Sequence, residues 1–237
     1  FLIFRRLWKQ LGFPEILEKS LEGRSFKFDV EKTIFASVLQ RLLKPGSELL
    51  GSSWVKSSVY GDGLEKIQLQ HFYRALGFLS EEKDFVEEQL FERRRHLLIN
   101  EVDIVFFDTS TLYFEGKGPE GFAKRGFSKD GHPQDNQIVF GVVMSREGTP
   151  ISCMWWPGNT ADVNAVQDVA KNLRNRFFVR DIILVCDRGM VSAANLKRFD
   201  ALGFKYIVGM KMRKMKDVKT KVIGKRGIKR PRQAERG

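Results

Sequence analysis

Cysteine, histidine and long apolar runs are all scarce in this sequence. Its 237 residues include two cysteines and three histidines. Neither Cys153 nor Cys186 belongs to a CxxC or Cys/His cluster, which excludes a disulfide framework and a zinc site and favours a reducing compartment. The longest apolar runs, residues 104–107 and 182–186, are far shorter than the roughly 20 residues of a membrane span. Since no leader with a cleavage site opens the chain either, we expect a soluble, cytoplasmic protein.

Several catalytic motifs are absent as well. No Walker GxxxxGK[ST] sequence occurs, and with so few histidines a Ser-His-Asp arrangement has little support. The stretch 116–121 formally matches GxGxxG, but no helix is predicted after it and Pro119 removes a backbone N–H from the supposed phosphate cradle. We interpret this stretch as a turn-rich loop, and the adjacent residues Trp155 and Trp156 as core or strand-end packing.

Positive charge is abundant, but it is concentrated at one end of the chain. Lys plus Arg number 41 against 29 Asp plus Glu, a formal net charge of +12. Residues 205–237 contain 13 basic and two acidic side chains, a net of +11, which leaves 28 basic and 27 acidic side chains, a net of +1, for the other 204 residues. The excess positive charge suggests a polyanionic partner, but nearly all of it belongs to the last 33 residues, and the body is close to neutral.

The first hundred residues have a helical pattern. Residues 31–43 place Ile34, Val38 and Leu42 on one face before Pro45 and Gly46 end the helix. A second helix is predicted over about 64–79. A third is predicted to begin at Ser80 as its N-cap and to run to about residue 96.

After Asn100 the pattern changes to strands alternating with helices. We predict a sheet of mixed strand direction with helices packed on it, because three successive strands form a meander and the later strands are separated by helices. The predicted strands cover residues 102–114, 137–145, 150–156, 181–186 and 204–210, and the predicted helices run from about 162 to 176 and from 192 to 201. The fold class is therefore α/β.

Two buried strands are predicted to run directly into an aspartate. Asp108 follows the run Ile104-Val-Phe-Phe107, and Asp187 follows Ile182-Ile-Leu-Val-Cys186. Either residue alone also suits an N-cap or a turn. The construction occurs twice, 79 positions apart, on strands that could be neighbours, and the carboxyl ends of strands are where α/β sheets bind ligands. Two carboxylates that lie close together repel each other, which favours a divalent cation that bridges them. Mg²⁺ or Mn²⁺ suits a site made of oxygen ligands alone.

These motifs together resemble the DDE class of bacterial insertion-sequence transposases, in the subgroup with an inserted β-rich region. The resemblance covers roughly residues 30–213 and depends on the order and spacing of several segments. These are Asp108-Thr-Ser-Thr, Gly126-Phe-Ser-Lys-Asp130, Gln137-Ile-Val-Phe-Gly-Val-Val143, Glu147-Gly-Thr-Pro150, Gly158-Asn-Thr-Ala-Asp162 and Val185-Cys-Asp-Arg-Gly189.

The resemblance implies a ribonuclease-H-like catalytic core in residues 101–213, a helical, DNA-contacting region in residues 1–100, and a basic tail in 214–237 that is disordered or non-native. It implies that Asp108 and Asp187 are catalytic and hold a two-metal site for Mg²⁺ or Mn²⁺. Lys124, Arg125, Lys129 and Arg188 are candidate DNA contacts, although the three loop charges could equally be solvated. The implied partners are double-stranded DNA, as transposon ends and target, and a second copy in a homodimeric synaptic complex; the implied location is the nucleoid.

The sequence departs from this family in one respect. No residue matches the third catalytic Glu of its Tyr-Arg-Glu-Lys signature, and Glu235 lacks that context. We therefore expect a C-terminally truncated or frame-disrupted copy that cleaves DNA poorly or not at all by itself. Two alternatives remain open: a non-catalytic DNA-binding fragment that inhibits transposition, and a ribonuclease-H-like nuclease.

Overall fold

Two units make up the chain, and they divide between Glu101 and Val102. The structure is a computed structural model that describes residues 1–61, 63–95, 104–126, 131–132, 134–177, 183–186, 193–201 and 203–208. No helix in these ranges is both long and apolar enough to cross a membrane.

The described part of the first unit is helical, as the sequence predicts. Its elements are α1 (Leu2–Gln10), α2 (Phe13–Ser20), α3 (Val30–Leu43), α4 (Glu48–Ser58), a 3-10 turn (Leu64–Lys66), α5 (Leu69–Glu81) and α6 (Lys83–Arg95). Helix α3 begins after Asp29, whose carboxylate accepts a hydrogen bond of 2.9 Å from the amide of Lys32. Such a cap satisfies one of the free N–H groups in the first helical turn.

The prediction of a helix start at Ser80 is wrong. Helix α5 continues through Ser80 to Glu81, because Phe72, Ala75 and Phe78 follow the helical period and are all buried. The single helix predicted over 64–79 is instead the 3-10 turn followed by α5, and Gln68 caps the longer helix. Burial of one helix face outweighed the local preference of serine for a cap.

A partly buried polar contact holds α1 against α3 inside the first unit. The carboxylate of Glu31 accepts hydrogen bonds from both guanidinium nitrogens of Arg5, at 2.6 and 3.0 Å, and from Nε1 of Trp8 at 2.6 Å. Trp8 in turn stacks on Phe13 of α2 with ring centroids 4.0 Å apart. These contacts tie the first three helices to one core.

The second unit contains a five-stranded sheet of mixed direction. Its strands are β1 (Ile104–Tyr113), β2 (Gln137–Ser145), β3 (Pro150–Pro157), β4 (Ile183–Cys186) and β5 (Lys205–Val208), in the order β3-β2-β1-β4-β5. Strands β1, β2 and β3 pair antiparallel, whereas β4 runs parallel to both β1 and β5. Helix α7 (Asp162–Phe177) connects β3 to β4, and α8 (Ala193–Ala201) connects β4 to β5. The predicted α/β class is confirmed.

Strand β1 alternates between a covered and an open face of this sheet. Val105, Phe107, Thr109 and Thr111 are buried, at 4% exposure or less. The residues between them, 106, 108, 110 and 112, are exposed. Helix α7 lies on the covered face, because Nε1 of Trp156 donates a 2.9 Å hydrogen bond to its Asp168. The open face is therefore where β1 can present polar groups to a ligand.

Candidate active site

Asp108 lies in the middle of β1, and not at its end. Strand β1 pairs with β2 without interruption from Val105 with Ser145 to Tyr113 with Gln137, so the strand continues five residues beyond the aspartate. The strand predicted over 102–114 is thus confirmed within the described residues, whereas the placing of Asp108 at a strand end is wrong. The antiparallel ladder to β2 supplies the backbone partners that keep this segment extended.

The carboxylate of Asp108 is exposed on the open face of the sheet. Its Oδ1 accepts a hydrogen bond of 2.8 Å from the amide of Thr109. Across the described residues, no Lys, Arg or His side chain forms an ion pair with it. Because the group is exposed, the burial cost expected for a carboxylate on a core strand does not arise. Most of its lone pairs remain available to a cation.

Strand β4 lies directly beside β1, as the sequence predicts. The parallel register pairs Ile104 with Ile183 and Phe106 with Val185, an offset of 79 residues. This offset equals the separation of Asp108 and Asp187 in the sequence. Asp187, like Arg188, lies outside the described residues.

The loop cations are not close to Asp108. Lys124 and Arg125 are exposed, and the backbone of Lys124 pairs with Gln137 at the start of β2. Gln137 is itself paired with Tyr113, which is five residues and therefore about 17 Å along β1 from Asp108. If these cations contact DNA, they contact it away from the carboxylate. Lys129 lies outside the described residues.

A complete metal-ligand set is not found in the part of the chain that the structure describes. No group of three or more His, Cys, Asp or Glu side chains is placed there to hold an ion. Asp108 is thus the one predicted ligand whose position the described residues include. A third carboxylate has no assigned position.

The two adjacent tryptophans of β3 lie on opposite faces of the sheet. Trp156 is buried at 6% exposure, as expected, but Trp155 is 45% exposed and packs against Phe140 with ring centroids 4.4 Å apart. The period of two in a strand places consecutive tryptophans on opposite faces, a signal that was available in the sequence.

A comparison with protein-family models matches the part of the chain that carries Asp108. Residues 101–237 match the family model described as a transposase DDE domain. That stretch is 137 of 237 residues, more than half. The chain therefore belongs to the transposase DDE domain family. Its sheet, with the order β3-β2-β1-β4-β5 and helices between the later strands, has the expected ribonuclease-H-like arrangement.

Solved structures that resemble the chain include several of Mos1 transposase. One is the "Mos1 transposase paired-end complex with left transposon end", at 13% identity and a TM-score of 0.33, covering 82% of this chain and 72% of that one. The "pre-cleavage Mos1 transpososome" has 11% identity and a TM-score of 0.32, covering 79% and 62%. The "Mos1 mariner paired end complex with Mn" has 12% identity and a TM-score of 0.30, covering 85% and 70%. No curated protein sequence matches the chain.

Proposed function

We propose that this chain is a DNA transposase of the DDE class that acts on insertion-sequence ends in the cytoplasm, with Asp108 as a catalytic, metal-binding carboxylate. The observation that carries the proposal is the position of Asp108. It lies centrally on the exposed face of the sheet in a transposase DDE domain, without a cationic partner in the described residues. Among the described residues, its carboxylate bonds to the backbone amide of Thr109, the next residue in the strand.

Asp187 is proposed as the second catalytic carboxylate. The support is the 79-residue offset between β1 and β4, which is the spacing of the two aspartates. In a parallel pair, residues at a constant offset lie beside each other on the same face. Continuing the offset by two residues from Phe106 and Val185 would bring the aspartates together.

The residues present suit a hard divalent ion. Asp108 offers oxygen ligands, which Mg²⁺ and Mn²⁺ prefer, and solvent can reach it. A bound ion would supply positive charge to activate the attacking hydroxyl or water and to stabilise the leaving oxygen of the phosphodiester. Asp108 would hold the scissile strand at the open face through that ion, while its Oδ1 keeps the hydrogen bond to the amide of Thr109 that orients the carboxylate.

Of the proposed DNA contacts, the two that the structure describes, Lys124 and Arg125, belong to the loop after β1 and not to the strand that carries Asp108. Lys124 and Arg125, with Lys129 and Arg188, would meet the phosphate backbone and position the duplex without reading its sequence. Because the backbone of Lys124 pairs with Gln137, about 17 Å along the sheet from Asp108, Lys124 would contact a phosphate other than the reacting one. Transposon-end and target DNA are the proposed substrates, and a homodimer is the proposed form in the synaptic complex.

The test combines DNA binding and cleavage in Asp108→Asn and in a matched control, Ser110→Ala, which is exposed on the same face of β1. Both variants are expected to bind insertion-sequence-end duplex as the unmodified chain does. Any product that requires Mg²⁺ or Mn²⁺ should disappear only in Asp108→Asn. Equal product from Asp108→Asn would contradict the proposal.

Two other outcomes would favour the alternatives. DNA binding that survives both Asp108→Asn and Asp187→Asn, with no metal-dependent product from any form of the chain, would indicate a non-catalytic DNA-binding protein. Metal-dependent cleavage that ignores the end sequence and joins no strands would indicate a ribonuclease-H-like nuclease.

A further inference from the structure

Two glycines in the second unit meet backbone to backbone. A Cβ atom built on Gly126 would lie within 3.0 Å of the carbonyl oxygen of Gly158. A Cβ on Gly158 would lie equally close to the carbonyl oxygens of Gln137 and Lys124. Three segments distant in sequence therefore converge: the loop after β1, the start of β2 and the end of β3.

Space, and not backbone conformation, requires glycine at these two positions. Neither Gly126 nor Gly158 has a positive φ, unlike Gly118 and Gly121 of the same loop. Any L-residue could adopt their backbone angles, so the requirement comes from the carbonyl oxygens that a side chain would strike. Each glycine begins one of the sequence motifs, Gly126-Phe-Ser-Lys-Asp130 and Gly158-Asn-Thr-Ala-Asp162, that the catalytic role of Asp108 leaves unexplained.

Gln137 joins the same contact from inside the sheet. Its side chain is fully buried, and its Nε2 donates a 3.2 Å hydrogen bond to the carbonyl oxygen of Gly158. Its backbone exchanges two hydrogen bonds with Lys124, of 3.0 and 3.1 Å. We call Gly126, Gly158, Gln137 and the backbone of Lys124 the glycine clamp.

We propose that the glycine clamp fixes the path of the loop so that Lys124 and Arg125 meet the phosphate backbone of bound DNA. Gly126, Gly158 and Gln137 are then positioning residues, and the two exposed cations supply the contacts. Loop side chains on a fixed backbone lose less conformational entropy on binding than side chains on a mobile loop. The proposal rests on the proposed function in that the chain must bind DNA through Lys124 and Arg125; it does not depend on cleavage.

The first test is the salt dependence of DNA affinity in the surface variant Lys124→Ala/Arg125→Ala. The probe is a short, fluorescently labelled duplex of random sequence, because phosphate contacts are independent of sequence. Each phosphate contact contributes about 0.9 to the slope of log K against log salt. The variant should therefore have a slope shallower by about 1.8. An unchanged slope would overturn the proposal.

The second test is Gly126→Ala, with Gly116→Ala as its matched control in the same loop. Gly116 also lacks a positive φ, and a Cβ there would meet no atom within 4 Å. Gly126→Ala should lower DNA affinity, and the slope of its salt dependence, as much as Lys124→Ala/Arg125→Ala does. Combining Gly126→Ala with that double variant should cause no further loss of either quantity. Independent, additive losses, or a Gly126→Ala slope equal to that of Gly116→Ala, would refute the clamp.

A third measurement needs no substitution and so survives any folding defect of Gly126→Ala. In the unmodified chain, the amides of Lys124 and Gln137 should exchange with solvent as slowly as those inside β2, since each donates to the other residue. Exchange of Lys124 as fast as that of Gly116 would overturn the clamp.

The outcomes separate this proposal from the proposed function. A chain that binds no duplex overturns both. A chain that binds duplex with a slope insensitive to Lys124 and Arg125 overturns the clamp and the proposed phosphate contacts of these two residues, and leaves the proposed catalytic role of Asp108 standing. Loss of metal-dependent product in Asp108→Asn, with clamp variants behaving as expected, supports both.

Discussion

Gly141 makes the packing behind β1 sensitive to a single methyl group. Gly141 lies opposite Thr109, the residue next to Asp108, on the covered face of the sheet. A Cβ at this position would lie 2.8 Å from a ring carbon of Phe107 and 2.8 Å from a ring carbon of Trp156. We therefore expect Gly141→Ala to destabilise the second unit.

The magnitude follows from these distances. Carbon atoms in contact normally lie about 3.5–4.0 Å apart, so each ring would have to move by roughly 0.7–1.2 Å. Phe107 is 2% exposed and Trp156 is 6% exposed and hydrogen-bonded to Asp168, so neither ring has free space or freedom to yield. Overpacking of this kind costs about 1–3 kcal/mol in the free energy of unfolding.

Denaturant unfolding of the second unit measures this cost. The control is Gly116→Ala, where an added Cβ has open space and the change should stay within about 0.5 kcal/mol. In a Phe107→Leu background, Gly141→Ala should cost at least about 1 kcal/mol less, because the smaller side chain leaves room for the methyl group. The same cost in both backgrounds, or a cost equal to that of the control, would refute the packing argument.

Two further predictions concern partly buried polar contacts. Glu31→Ala should lower the free energy of unfolding of the first unit by about 2–4 kcal/mol, because Arg5 and Trp8 lose their shared acceptor; denaturant unfolding checks this, and a loss under about 0.5 kcal/mol would contradict it. Trp156→Phe should lower the free energy of unfolding of the second unit by about 1 kcal/mol through loss of its hydrogen bond to Asp168. The loss should be much smaller when Asp168 is already alanine. A double-mutant cycle checks this, and additive losses would exclude the hydrogen bond as the cause.

Local sequence patterns were sufficient to predict elements that end at Pro or Gly or that follow a clear period. Strand β2 has the predicted bounds, Gln137–Ser145, and α3 ends before Pro45 and Gly46 as predicted. The apolar patterns of strands and helices also predicted the bounds of β3, α7 and β4 to within a few residues. These elements have sequence features that act within a few residues of the element they define.

Features that depend on distant partners could not be predicted in this way. The run of α5 through Ser80 depends on burial of Phe78. The close approach of Gly126 and Gly158 joins residues 32 positions apart, with no local mark beyond the glycines themselves. The pairing of β1 with β4 could be predicted only because a strand that runs into an aspartate occurs twice in the sequence.

The most direct test of the central claim, that Asp108 binds a divalent metal, is the thermal unfolding of the chain in a Mn²⁺ titration. At tenfold excess over its Kd, a bound ion stabilises by about 1.4 kcal/mol, or a rise in Tm of roughly 3–6 °C. This rise should occur in the unmodified chain and in Ser110→Ala, and should be absent in Asp108→Asn. The same rise in Asp108→Asn would contradict the account.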